Sequence, residues 1–430
     1  MATIRPFRGT RYNPEKSGDI SLNVCPPFDA ITPALQKDLY DRSEYNIVRL
    51  ELARRGLVKD PYESAAETQR RWLESGVLTR DNEPSVYVTE ETFAYNGGKA
   101  WRRGLVAAVH LEEYEQGVIL PHEGTRTEWV ADRVRLMSAV KFAYSPLLVT
   151  FRDDLRSSVG SILRAVAGGE PTVDIAPPDM PELRMWRVTD PGTIDVLTRA
   201  MDDSQLFIAD GHHRYEAALR YRAGIRAQRE VAPDELINYR MMLMVSVDEP
   251  GLITRGYHRT IENASDEELR SLRSLLISQC DVEEVALPMD DPQGAAAALT
   301  RKLGDRQGRE VKFGVLGMEA GKAHVATLTQ VSEGGTELER SEYSQVHDLF
   351  LNRVFPGGRQ EESVNFQHDL VRVLAAVADG SAKMAFVMRP APMSEFISIV
   401  TRGWRLPPKA TNFYPKPPAG FVMQSLEGRL

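Results

Sequence analysis

The chain has only two cysteines, Cys25 and Cys280, in 430 residues. Two thiols make no disulfide framework, which sets aside small cross-linked scaffolds and favours a reducing, cytoplasmic setting. No run of about 18 apolar residues occurs, so no membrane span is expected. The opening Met1-Ala-Thr-Ile-Arg-Pro-Phe7 has no apolar signal core. Basic residues are also in deficit. Lys and Arg number 53 against 61 Asp and Glu, a net charge of −8. That is the wrong sign for a protein whose task is to hold duplex nucleic acid. A local basic pocket for one small anion remains compatible with it.

What is present suits a globular chain. Hydrophobic residues make up 42% and charged residues 27%, enough to build a core. Domains of roughly 100–200 residues imply two or three packed units. Alternating strand and helix patterns predict a mixed α/β fold. Ser85–Thr89 and Leu105–Leu111 alternate as strands, with a turn signal at Asn96-Gly97-Gly98 between them. Helices are expected over Tyr62–Glu74, Trp129–Phe142, Asp154–Ala167 and Ser344–Phe355. Leu147–Phe151 and Met241–Val247 read as buried strands. The boundaries expected are 1–117, 118–237 and 238–430. The tail Leu406–Gly420 is too proline-rich for regular structure, yet its aromatic and basic anchors predict docking.

One segment concentrates chemistry. Gln205-Leu-Phe-Ile-Ala209 reads as a strand running into Asp210-Gly-His-His-Arg214, and a helix follows. A helix N-terminus offers unpaired N–H groups and partial positive charge, which suit a phosphate. Gly211 allows close approach of the backbone. His212, His213 and Arg214 add donors, Arg214 as a two-point fork. Asp210 is a candidate Mg²⁺ ligand or a group that orients a histidine. The plain alternative makes Asp210 a helix cap and the histidines polar rim residues. A metal site from His212 and His213 together is disfavoured, because adjacent helical side chains point apart.

A second candidate is Pro121-His122-Glu123 with Thr125, Asp132 and Arg133 downstream. Glu123 beside His122 is a candidate general base; its alternative is a cap on the next helix. Gly256-Tyr-His258-Arg259 is a third segment, and the tail residues Lys409, Thr411, Tyr414 and Lys416 are candidates to close over an anion. Both have ordinary readings, as a surface ion pair and as a packed strap. The two cysteines lack a basic context and read as structural.

These pieces resemble, over nearly the whole chain, the prokaryotic family catalogued as domain of unknown function 1015. The matching segments are Ile4–Arg8, Cys25-Pro-Pro-Phe-Asp29, Tyr45-Asn46, Ile119–Glu123 with Thr125 and Asp132-Arg133, Ala209–Ala217, His258-Arg259 and Pro408–Lys416. Gly211-His-His-Arg214 with Ala217 is also similar to the phosphate-contacting motif of the ParB/sulfiredoxin superfamily, and in segment order to its free serine kinases. That likeness implies a ParB/sulfiredoxin-like nucleotide-binding core. It implies Glu123 as the base on a substrate hydroxyl, Asp210 assisting metal or substrate, and His212, His213 and Arg214 on nucleotide phosphates. His122, Thr125 and Arg133 join the phosphate set, and His213 the catalytic one. The stretch 152–204 is long for such a core. His212 stands where a sulfiredoxin has its cysteine, which argues against reductase chemistry.

The expectation is a kinase or related phosphotransferase using ATP or ADP with Mg²⁺ on a hydroxylated metabolite such as serine. Its partners are then a small-molecule substrate and a nucleotide, without nucleic acid or membrane. The alternatives are a nucleotide-sensing binding protein without turnover, and a hydrolase of a phosphorylated or acyl substrate with the histidines as acid and base.

Overall fold

Nine strands form one mixed sheet: β1 (Ile4–Arg5), β2 (Val86–Tyr95), β3 (Gly98–His110), β4 (Ile119–Leu120), β5 (Leu147–Phe151), β6 (Val173–Ile175), β7 (Glu182–Val188), β8 (Leu206–Asp210) and β9 (Tyr239–Ser246). The order is β4-β8-β5-β9-β3-β2-β7-β6, with β1 also on β3. In this computed structural model the described residues are 2–54, 60–95, 97–153, 159–202, 204–288, 290–306, 308–319, 321–331 and 335–430. They divide into two compact units, Met1–Ile253 with Pro415–Leu430, and Thr254–Tyr414.

The expected strands around residue 97 are the ends of a longer hairpin, β2 with β3, paired from Tyr87↔Val106 to Tyr95↔Gly98. Asn96, the first residue of the expected turn, lies outside the described residues, as do 154–158 of the expected helix, of which Val159–Ala167 is observed. The central strands β5 and β9 are apolar runs buried on both faces, as a sheet covered on each side requires. Their parallel pairing, Met242↔Leu147 to Ser246↔Phe151, joins stretches on either side of residue 237. The boundary expected there would cut through hydrogen-bonded strands. The unit instead ends after β9, and the tail from Pro415 belongs to it. Within that tail Gln424–Ser425 pairs with Phe142–Ala143, and Cys25 bridges to Ala419. Of the expected tail 406–420, Ala419 is bridged in this way, and Asn412–Tyr414 forms a short strand, against the expectation of no regular structure.

Helices cover the sheet. Those that matter for the site are α1 (Thr127–Val140) and α2 (His212–Arg226), which pack together. Met137 and Val130 of the first and Tyr215, Ala218 and Leu219 of the second belong to one buried cluster with Leu147, Val149 and Ile208.

The second unit has its own six-stranded sheet: β10 (His258–Ile261), β11 (Cys280–Val285), β12 (Lys312–Leu316), β13 (Ala323–Leu328), β14 (Val364–Gln367) and β15 (Met384–Val387). Their order is β11-β13-β12-β15-β10-β14. The expected strand pair joined near Gly321 is β12 with β13. Helix α3 (Asp266–Gln279) packs on β11. The single helix expected over Ser344–Phe355 is broken. Glu342–Val346 is α-helical, His347–Leu351 has the wider π geometry, and Asn352–Val354 is α-helical again. Both cysteines are buried, and burial raises both thiols, Cys280 to about 12. They are inert core residues. Among the described residues no helix is long and apolar enough to cross a membrane.

Candidate functional site

Strands β4 and β8 are parallel neighbours, with Leu206↔Ile119 and Phe207↔Leu120 in register. Chains leaving both strands therefore emerge at the same end of the sheet. From β4 comes Pro121-His122-Glu123, and from β8 comes Asp210-Gly211-His212. Two segments some ninety residues apart become one constellation.

A bulge sets the second segment's aim. Against β5, Ile208 pairs with Val149 and Asp210 with Leu148, so Ala209 is an extra residue. Such an insertion turns the following side chain to a new face. Gly211 then takes φ 98°, and a Cβ on it would lie 2.6 Å from Leu147 and 2.9 Å from the Arg214 guanidinium. Only glycine fits this turn. The helix α2 begins at His212 with no side-chain cap. Asp210 is not the cap, because its carboxylate is engaged elsewhere.

The two segments are bonded to each other. The His122 N–H donates to His212 Nε2 at 3.3 Å, and the two rings meet edge to face with centroids 4.4 Å apart. His122 Nδ1 lies 2.7 Å from the Ile208 carbonyl. A carbonyl accepts only, so Nδ1 carries the proton and Nε2 faces Glu123 Oε1 at 3.9 Å. Further along, the Arg126 N–H donates to His213 Nε2 at 3.0 Å, and Trp129 lies against the His213 ring. His122 and His212 are buried, Glu123 and His213 are half-buried, and Gly124 and Arg126 are exposed. The site is thus open to solvent at its loop side. Thr125 sits on that loop, half-buried.

Asp210 stands between two cations. Oδ2 accepts from Arg214 at 2.7 Å, and Oδ1 lies 2.9 Å from Lys416, which also reaches Asp29 at 2.5 Å. Burial lowers the affinity of the Lys416 amine for its proton, but Asp210 and Asp29 outweigh it and hold the pKa above the ordinary lysine value. A Mg²⁺ ion on Asp210 would have to displace the ammonium, so the metal role expected for Asp210 does not fit this arrangement. A different trio is a candidate for a cation, although His212 Nε2 already accepts from the His122 N–H. His122, Glu123 and His212 each offer one ligand atom, all within 4.8 Å of one another. The His122 Nδ1–H to carbonyl bond is the support such a ligand usually has. A nitrogen-rich set suits ions of the Mn²⁺ to Zn²⁺ series over Mg²⁺.

The expected arginine forks are largely occupied. Arg214 is 3% exposed and holds Ser145 Oγ and the Pro146 carbonyl besides Asp210. It braces the turn from behind. Arg133 donates to Asp132 and to the Glu51 carbonyl and lies over the Phe28 ring. His258, Arg259, Lys409 and Tyr414 belong to the second unit. There Arg259 donates to His347 and lies near the Tyr343 and Phe366 rings, Lys409 lies over Tyr257, and Arg255 stacks on Tyr414. Burial pushes His258 down to about 3, with Arg259 adding to it. The surface ion pair considered for His258-Arg259 is not what forms, since both are buried in β10.

Asp29, Trp129, Arg126 and Ser145 were not anticipated as site residues. Asp29 had a signal, as the last residue of the rigid Cys25-Pro-Pro-Phe-Asp29. Ser145 had none.

No curated protein matches the chain. Solved structures similar to it include these three. A conserved hypothetical protein from Pyrococcus furiosus is 13% identical with a TM-score of 0.36, covering 75% of this chain and 95% of its own. A free serine kinase in complex with AMP is 13% identical with a TM-score of 0.34, covering 75% and 91%. SbnI with a C-terminal truncation, from Staphylococcus aureus, is 11% identical with a TM-score of 0.34, covering 72% and 84%. The family described as Protein of unknown function (DUF1015) matches residues 4–348, and the chain belongs to that family.

Proposed function

We propose that the chain is a nucleotide-dependent phosphotransferase acting on the hydroxyl of a small metabolite, serine being representative, with ATP or ADP as the phosphate source. One observation carries the reading: parallel β4 and β8 deliver the Glu123 loop and the uncapped start of α2 to the same place. A phosphate group settles on the first-turn N–H groups of α2, with Gly211 letting it approach. His213 accepts from Arg126 at Nε2, so its Nδ1 carries the proton. Glu123 takes the proton of the substrate hydroxyl. Lys416, Asp210 and Arg214 hold the turn in shape. Transfer of this kind rests on positioning and charge neutralisation; the α2 N-terminus contributes to the second, while Arg214 and Lys416 are committed to Asp210.

Calorimetric titration with ADP and ATP, followed by turnover on a panel of hydroxyl amino acids, tests it. Binding with micromolar to low millimolar affinity is expected. No binding at millimolar concentration ends the reading. Binding without turnover on any hydroxyl acceptor leaves a nucleotide-sensing protein.

The His122, Glu123 and His212 trio favours a second reading, a metal-assisted hydrolase of a phosphorylated substrate. Phosphate release from a phosphorylated metabolite, with Mn²⁺ or Zn²⁺ and no nucleotide, would select it over the first.

A further inference from the structure

Behind the Asp210–Gly211 turn, inside the first unit, lies a small cavity. Arg214, Arg240, Arg133, Glu51, Tyr144 and Ser145 are among the residues that wall it. About 20 Å³ is open to the centre of a water-sized sphere, room for one or two waters and too little for a phosphate.

Arg240 is the anomaly. It sits on β9 in step with Met242 and Met244, both core residues, and is 4% exposed. Its Nη2 reaches the Ser145 carbonyl at 3.4 Å, but Nε and Nη1 have no acceptor. Arg214 Nε, on the neighbouring wall, has none either. Among the described residues no carboxylate lies within ion-pair distance of Arg240. Arg102, equally buried, also has two nitrogens without a hydrogen-bond partner but has the carboxylate that Arg240 lacks, Glu91 at 2.6 Å. The Arg240 guanidinium is pushed down to about 9 by burial and then by Arg214, with Glu51 opposing. Glu51 is committed to Ser145 Oγ and lies 4.0 Å from Arg133. Asp132 and Asp210 balance Arg133 and Arg214.

We propose that this cavity holds a halide-sized monovalent anion, such as chloride, between the Arg214 and Arg240 guanidiniums. A buried cation without a partner is strongly disfavoured. One water accepts about two hydrogen bonds and brings two protons that need acceptors of their own. The three unused nitrogens carry four N–H groups, the full accepting capacity of the two waters that would fit, whose own protons would still need acceptors. A halide accepts from every side and donates nothing. Its place behind Arg214 makes it part of the support of the Asp210–Gly211 turn, whatever reaction the site performs.

The test uses the full chain. Melting temperature is followed in sodium chloride, bromide and gluconate at constant ionic strength, and crystals grown in bromide are examined for anomalous scattering. Chloride and bromide should raise the melting temperature by roughly 2 °C or more in a saturating manner, and gluconate, too large for the cavity, should not. A bromide peak is expected among Arg214, Arg240 and Ser145. Arg240→Met should remove the halide dependence. If that variant does not fold, the bromide crystals of the unaltered chain still decide. Melting curves that coincide in chloride and gluconate, or a cavity holding water in bromide-grown crystals, overturn the assignment.

Discussion

Two helices, one in each unit, begin in opposite ways. Asp266–Gln279 opens on Ser265, whose hydroxyl accepts from the Glu268 N–H while the Glu268 carboxylate accepts from the Ser265 N–H. His212–Arg226 opens on Gly211, which has no side chain to cap anything. The acid one residue earlier, Asp210, is turned by the Ala209 bulge towards Arg214 and Lys416. The first helix satisfies its own end and gains stability from it. The second has no side-chain cap, and a brace of charges surrounds the turn before it. Each helix has a polar residue ahead of it that could cap, Ser265 or Asp210; what decides whether it caps is the backbone that aims it.

The largest way to break this contrast is at Gly211 itself. Gly211→Val demands a left-handed backbone from a β-branched residue and drives its Cβ into Leu147 and Arg214. We expect a loss of roughly 3–5 kcal/mol in urea unfolding. A loss under about 1 kcal/mol would mean that the turn is soft, and the brace would have nothing rigid to support.

Next in size is Glu123→Gln, which keeps the side chain's shape and removes the proposed base. Turnover should fall by about 100-fold or more while nucleotide affinity stays within a few-fold, a kcat effect rather than a binding one. Equal losses in binding and turnover would place Glu123 among the groups that hold the nucleotide.

Lys416→Met sharpens the idea of a charged brace. It strands Asp29 in a half-buried place and leaves Asp210 with Arg214 alone, and roughly 2–4 kcal/mol of stability should go with it at pH 7. The added change Asp29→Asn should restore part of this. The sign with pH is fixed by the raised pKa of Lys416. Its contribution is fully present below the unfolded lysine value of 10.5 and is lost as pH rises through the higher folded value. The unaltered chain should therefore weaken in strong alkali more steeply than the Lys416→Met chain.

The parts of this arrangement differed in how far the sequence revealed them. The run from Gln205 to Arg214 announced itself, because an apolar strand ending in acid-glycine-histidine leaves few local alternatives. The Pro121–Glu123 segment was visible as a motif, but its neighbour was not. Parallel pairing of β4 with β8 depends on a partner some ninety residues away and leaves no local pattern. The same blindness misplaced the boundary near residue 237, where β9 looks like the start of something new and is in fact a central strand. Asp210 was read as a metal ligand because its cations, Arg214 one helical turn on and Lys416 in the distant tail, compete for it only once the chain is folded. Ser145 and Arg240 carry no motif at all. Their meaning is in a cavity, which is a property of packing.

The smallest effect is at the other helix start. Ser265→Ala removes one half of the capping box and should cost about 1 kcal/mol. That cost should appear in the hydrogen exchange of Asp266–Gln279, because the cap serves only its own helix. The nucleotide affinity assigned to the first unit should not move, since Ser265 and Gly211 lie in different units and share no partner. If Ser265→Ala proved costless, capping would be worth nothing at an exposed start in this chain. The bare end at Gly211 would then need no ligand to explain it, and the contrast between the two helices would reduce to a difference in sequence.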